Sequence, residues 1–278
     1  MALYKTRAVV IGRRAFGESD RLVDFYTREY GKVRGIARAA RRPRSRFGSA
    51  LELFTLGEMV FFDSGRSELV QVDHFDIVRP FVRVRENLER LGQGAWAVEM
   101  VARLSADRDP HPALFALLVR ALTALEMTRR PARVSVCFGL RAVDLLGHRP
   151  RIDRCVACGR PAPFPDAALD VTAGGLVCAG CRPGADAIPL SGGLLGTLTR
   201  LRALSWEEAL RLNLAAELDA ELVAVLEGLV ARLMGRYPLS SRFLTQTRRS
   251  LSMVSEPSSV VRVVGNSPDA QRLVTGGG

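Results

Sequence analysis

Residues 1–39 read MALYKTRAVVIGRRAFGESDRLVDFYTREYGKVRGIARA. Short apolar runs alternate here with turn signals, and that rhythm continues to about residue 80. The runs Tyr4–Gly12, Arg21–Thr27, Lys32–Ala39, Glu58–Asp63 and Glu68–Val78 are rich in Val, Ile, Phe and Tyr, the residues that fit a pleated, half-buried surface. Five strands in so short a span favour a small barrel, because closing the sheet removes its exposed edges. The five-stranded OB-fold is the common solution at this size. Early charges and strand-like alternation also set the start of the chain apart from a signal sequence.

Beyond Pro80 the period lengthens to that of helices. Leu88, Leu91, Ala95, Val98 and Ala102 form one predicted stripe, followed by Leu114, Leu118, Ala121, Leu122 and Leu125. A third helix is expected from Ala132 to Leu146 with Val134, Phe138 and Leu145 inward, and Gly147 is placed to end it. Residues 149–188 interrupt the pattern with prolines, glycines and paired cysteines. Helices resume at Gly192–Leu204, at the capping-box pair Ser205 and Glu208, and at Glu217–Met234, where Leu218, Leu222, Val225, Leu226, Leu229 and Leu233 point to a core. The expected fold class is therefore α+β and multidomain: a barrel over 1–80, a helical domain over 81–148 and 189–245, an inserted cysteine module over 149–188, and a disordered tail over 246–278.

Charge is concentrated where the third strand leaves the barrel. Gly31–Leu51 holds Lys32, Arg34, Arg38, Arg41, Arg42, Arg44 and Arg46 with no acid, Glu29 and Glu52 lying just outside. The whole chain is basic, with a formal net charge of +11 and 40 basic residues, only Lys5 and Lys32 being lysines, so arginine at any one position says little. The absence of acids in the window says more. Mutually repelling charges in a compact segment fit a polyanionic partner, and the basic segment is the expected nucleic-acid surface. Tyr26, Phe47 and Phe54 are aromatics that could stack bases, with strand packing expected for Tyr26 and a core role for Phe54.

The cysteine module carries the most specific motif. Cys155-x2-Cys158 and Cys178-x2-Cys181, with 19 residues between the pairs, fit one tetrahedral structural zinc ion held by four thiolates. Gly159 and Gly180 suit the tight knuckles. Such a shell is closed, so the metal would hold the module together without doing chemistry. Cys137, in an apolar helical pattern, reads as a buried thiol, and His74, His111 and His148 as surface or packing residues.

Catalytic patterns are missing. Gly12–Ser19, GRRAFGES, has the glycine spacing of a phosphate loop but places Glu18 where a phosphate-binding lysine is needed, and a carboxylate there repels phosphate. The sequence contains no H-x-E, G-x-S-x-G or H-E-x-x-H. No enzyme is expected. No apolar run reaches the roughly 20 residues of a spanning helix, so no membrane role is expected and the reading is cytoplasmic.

The order of parts resembles the bacterial RecO recombination mediators. The resemblance lies in YKTRAVVIGRRAFGESDRLVDFYTREYGKV (4–33), GIARAARRPRSRFGSALELFTLGEMVF (35–61), LGHRPRIDRCVACG (146–159) and SGGLL (191–195), and covers nearly all of 1–245. His148 departs from it, standing where a tyrosine is expected, and the tail after Leu244 looks like an extension. The resemblance implies an N-terminal OB-fold, a helical domain with an inserted zinc module, and binding of single- and double-stranded DNA. It implies annealing of complementary strands, including strands coated by single-strand-binding protein through its acidic C-terminal tail. It further implies cooperation with RecR to load RecA, an association with the nucleoid during repair, DNA contacts among the seven basic residues of the segment, and zinc on the four paired cysteines. Read without the resemblance, the residues also fit a zinc-containing RNA-binding protein or an adaptor for acidic protein partners.

Overall fold

The computed structural model describes residues 2–164, 166–181, 183–235 and 240. The expected tail over 246–278, and the end of the helical domain at 245, lie outside the described residues.

Five strands close into a barrel: β1 (Ala2–Phe16), β2 (Asp20–Thr27), β3 (Gly31–Ala37), β4 (Leu56–Asp63) and β5 (Leu69–Arg79). The order around the barrel is β1-β2-β3-β5-β4, and β4 returns to β1. All neighbours are antiparallel except β3 and β5, which pair in parallel only at Arg34–Leu69, Gly35–Val70 and Ile36–Gln71. This is the OB-like barrel expected from the sequence. Its period of two is visible in β1, where Ala8 and Val10 face the barrel interior beside Val23, Phe25, Met59 and Phe61. The alternate residues Val9 and Ile11 join the separate core beneath the helices. One strand thus lines two cores.

The helical part comprises α1 (Val82–Arg85), α2 (Leu88–Leu104), α3 (Pro112–Met127), α4 (Pro131–Leu145), α5 (Gly192–Ala203), α6 (Trp206–Arg211) and α7 (Ala216–Leu233). Leu222, Val225, Leu226 and Leu229 of α7 are buried as their spacing predicts. Ser205 and Glu208 form the reciprocal capping box of α6. Gly147 adopts a left-handed φ of 77° after α4. Two stripes differ from expectation. In α2 the expected Val98 is buried and Leu91, Ala95 and Ala102 pack against the core, but Gln93, Trp96, Ala97, Met100 and Val101 widen the buried face and Leu88 is exposed. Leu145 of α4 is also exposed. Glycine eases the close approach of α2: a methyl at Gly94 would come 3.0 Å from the Phe54 ring, which would have to give way. Buried Arg133 of α4 pairs with Asp219 of α7 and donates to the Ala209 and Leu212 carbonyls, tying three helices together.

The cysteine module is more ordered than its composition predicts. It holds a three-stranded antiparallel sheet in the order β7-β6-β8, from β6 (Asp166–Asp170), β7 (Gly175–Cys178) and β8 (Ile188–Ser191), with a 3-10 turn at Ala179–Cys181. Leu169, Leu176, Val177 and Leu190 from these strands belong to the same core as the helices.

Candidate nucleic-acid interface and candidate metal centre

The basic segment leaves β3 and crosses to β4 as a chain of tight turns over residues 38–55. Successive backbone bonds hold it: Arg42 to Ala39, Ser45 to Arg42, Gly48 to Ser45, and Ala50 to Phe47. Ala40, Phe47, Ala50 and Leu51 turn inward and join the barrel core. The connection is therefore anchored by its apolar residues, which leaves the arginines on the outside.

The seven basic residues have unlike surroundings. Arg38, Arg42 and Arg44 are exposed, and their side chains have no hydrogen-bond or ion-pair partner among the described residues. Arg41 is exposed and donates from Nη1 to the Gly17 carbonyl at 3.2 Å. Arg46 is exposed, lies 3.7 Å from Asp73 and sits over the Phe47 ring at 5.1 Å. Arg34 pairs with Asp24, whose carboxylate raises the guanidinium's affinity for its proton still further. Lys32 turns away from the segment. Its ammonium donates to the Ala102 carbonyl at 2.7 Å and the Ser105 carbonyl at 3.1 Å, and pairs with Asp107 at 3.0 Å. Two carbonyls and a carboxylate at the end of α2 thus hold the ammonium, and Lys32 joins barrel to helices.

Of the aromatics, Tyr26, Phe47 and Phe54 are all buried, Tyr26 against Phe115. The packing roles expected for Tyr26 and Phe54 hold, and Phe47 is buried too as an anchor of the basic segment, so none of the three presents a ring to a base. The structure brings forward two residues that sequence reasoning passed over. Arg14 and Phe16, at the end of β1, are exposed and lie beside the segment, because the β1–β2 hairpin is bonded to it: the Arg41 amide donates to the Ser19 carbonyl at 2.9 Å, and the Ala39 amide to Asp20 Oδ1 at 2.7 Å. The signal available in the sequence was an apolar aromatic placed directly before a turn glycine, Gly17.

The four paired cysteines converge. Their sulfurs all lie within 4.8 Å of one another, with Cys158 and Cys178 3.8 Å apart. A tetrahedral ion with zinc–sulfur bonds of about 2.3 Å sets its ligands about 3.8 Å apart, so the cluster fits a four-thiolate metal. Strand pairing makes this possible. The segment before the first pair runs beside β7, with Leu176 N bonded to Arg151 O at 2.8 Å and Val156 N to Leu176 O at 2.8 Å. The approach is so close that a methyl on Gly175 would lie 2.4 Å from the Arg151 carbonyl. Gly159 closes the first knuckle with a φ of 76°, as expected, whereas Gly180 has open space around it and no left-handed φ, so the second knuckle does not require glycine.

Backbone N–H groups aimed at Cys155, that of Cys178 foremost, lower its thiol to about 6, while hydrogen bonds to Cys158 and Cys178 push the Cys181 thiol up to about 12. Sulfurs this close cannot all shed their protons unless a cation neutralises them. Cys137 stands apart, buried in α4, its thiol pushed up to about 11 by burial. The histidines serve elsewhere: His111 Nδ1 accepts from the Leu114 amide at the start of α3, His74 faces Asp73, and His148 is exposed. Among the described residues, no helix is long and apolar enough to cross a membrane.

Comparison with known proteins agrees with this architecture. The family described as Recombination protein O N terminal matches residues 1–81, and Recombination protein O C terminal matches residues 85–243. The DNA repair protein RecO of Anaeromyxobacter dehalogenans (strain 2CP-C) is 37% identical over 244 residues, covering 87% of this chain and 96% of its own. That of Rubrobacter xylanophilus is 39% identical over 212 residues, covering 75% of this chain and 84% of its own. That of Myxococcus xanthus is 36% identical over 249 residues, covering 88% and 98%. With both family regions matched in order and relatives aligned along nearly their whole length, the chain belongs to the RecO family of DNA repair and recombination proteins.

Proposed function

We propose that this chain is a non-enzymatic recombination mediator that binds single- and double-stranded DNA and anneals complementary single strands in the cytoplasm, at the nucleoid during repair. With RecR it would help load RecA onto DNA covered by single-strand-binding protein, whose acidic tail it would engage. The observation that carries the reading is the set of unpartnered arginines, Arg38, Arg42 and Arg44, held outward on an anchored segment. Arg41, Arg46 and Arg34 border them and would add contacts; Lys32 contributes by holding the barrel to α2.

Annealing needs no bond to be made or broken. Arginines on one surface neutralise phosphates of two strands, release their counterions and lower the repulsion between them, so that complementary bases can meet. Holding the arginines on a folded segment means little order has to be gained at binding. If about four arginines contact a single strand, log affinity should fall against log salt with a slope near −3. Cys155, Cys158, Cys178 and Cys181 would hold one structural zinc ion, which supplies stability and no chemistry.

The deciding experiment compares the protein with an Arg38, Arg41, Arg42, Arg44→Gln variant in annealing of complementary strands precoated with single-strand-binding protein. Fast annealing without ATP, lost in the variant, is the expected result. Fast annealing in both would move the DNA surface elsewhere on the molecule. No annealing by the folded, metal-loaded protein would overturn the reading and favour RNA or an acidic protein as the partner.

A further inference from the structure

The outer face of β1, β2 and β3 can be read from register. Arg14 lies opposite Leu22 and Phe16 opposite Asp20. Leu22 in turn lies opposite Ile36, and Asp24 opposite Arg34. Residues two apart share a face, so Arg14, Phe16, Arg34, Ile36 and the next residue in phase, Arg38, stand on one surface. Beyond β3 that surface runs into a cleft of about 190 Å³ bordered by Ile36, Arg38, Phe62, Ser67 and Gln71.

Phe16 is 43% exposed, which leaves part of its ring open to a ligand. Its position is fixed from both sides. The hairpin tip is bonded to the basic segment through Arg41 to Gly17 and Ser19 and through Ala39 to Asp20, and Arg13 of β1 pairs with Glu52 just beyond the segment. Charge then sorts the surface. Glu18 at the tip and Asp20 opposite Phe16 repel phosphates, whereas Arg38, Arg42 and Arg44 a short way off attract them. A strand whose backbone follows the arginines presents its bases, not its phosphates, to the hairpin.

We infer that Phe16 is a stacking platform for an unpaired base, placed so that this surface tells a single strand from a duplex. The inference rests on the DNA-binding reading above and extends it: arginines alone bind both forms, while a ring that needs a free base face rewards only the single strand. Aromatic stacking accounts for much of the sequence-tolerant affinity of single-strand binders.

The test measures binding to oligothymidylate and to a duplex of equal length by fluorescence anisotropy, for the parent protein, Phe16→Ala, Phe16→Leu, and Arg38, Arg42, Arg44→Gln. Phe16→Ala is expected to weaken oligothymidylate binding by about 5-fold to 100-fold, within the range of single base–aromatic contacts, and to leave duplex binding unchanged. Phe16→Leu, which keeps the apolar bulk without the flat ring, should lose nearly as much. In Phe16→Trp, oligothymidylate should quench the new indole, since the resident Trp96 and Trp206 are buried. Equal losses for both DNA forms, or no loss while the arginine variant loses both, would overturn the stacking role and leave the DNA-binding reading standing. Absence of DNA binding by the parent protein would overturn both.

Discussion

Lys32 and Arg42 carry the same charge on one basic segment and have opposite surroundings. Lys32 spends its donors on the end of α2, and Arg42 faces water without a partner. Lys32→Met should lower stability by about 1–2 kcal/mol, because two carbonyls and a carboxylate lose their charged donor, and this is read from the urea midpoint. Arg42→Gln should leave the midpoint where it is and weaken DNA binding. Such a split explains why the segment was legible as charge and not as geometry. Asp24, Asp107 and the α2 carbonyls that claim Arg34 and Lys32 belong to other parts of the chain, the Ala102 carbonyl lying 70 residues from Lys32. A window of sequence shows which residues are basic; it does not show which find an acid across the fold.

At the scale of elements, long periodic runs were readable and short or glycine-bearing ones were not. The five barrel strands and α7 announce themselves by alternation or a leucine stripe. The α2 stripe was incomplete because Gly94 and Gln93 are buried while Leu88 is not, and a hydrophobic pattern gives glycine and glutamine no weight. Likewise β6, β7 and β8 span 5, 4 and 4 residues, too few to establish a period against the prolines and glycines around them. The four cysteines were readable because metal spacing is local within each pair, and pairing along β7 joins the two pairs. Such a short sheet depends on what clamps its ends. The purified protein should therefore carry about one zinc per chain by mass spectrometry of metals. Stripping it with a thiol-reactive mercurial and a chelator should release that zinc and lower the melting temperature, and Cys178→Ser should do the same without reagents. Full stability with no bound metal would remove zinc from the proposal.

Across the whole molecule the packing crosses the boundaries that composition suggests. Val9, Ile11, Tyr26 and Phe54 from the barrel side, the faces of α2, α3, α4 and α7, and Leu169, Leu176 and Val177 from the cysteine module form one continuous core. Gly31, with a φ of 62°, brings the barrel so near the loop before α3 that a methyl there would lie 2.2 Å from the Asp109 carbonyl. The described region should therefore melt as a unit, its calorimetric and van't Hoff enthalpies agreeing. Gly31→Ala should separate the barrel's transition from that of the helices. Two transitions in the parent protein would contradict the shared core.

The double duty of β1 has a further consequence. Ala8, Val9, Val10 and Ile11 are buried in succession, two for each side. The strand works as a party wall between two rooms: removing a single residue would exchange the tenants on both sides at once. The same wall gives the arginine surface and the cysteine cluster a common frame of reference, since both pack onto cores that this one strand lines.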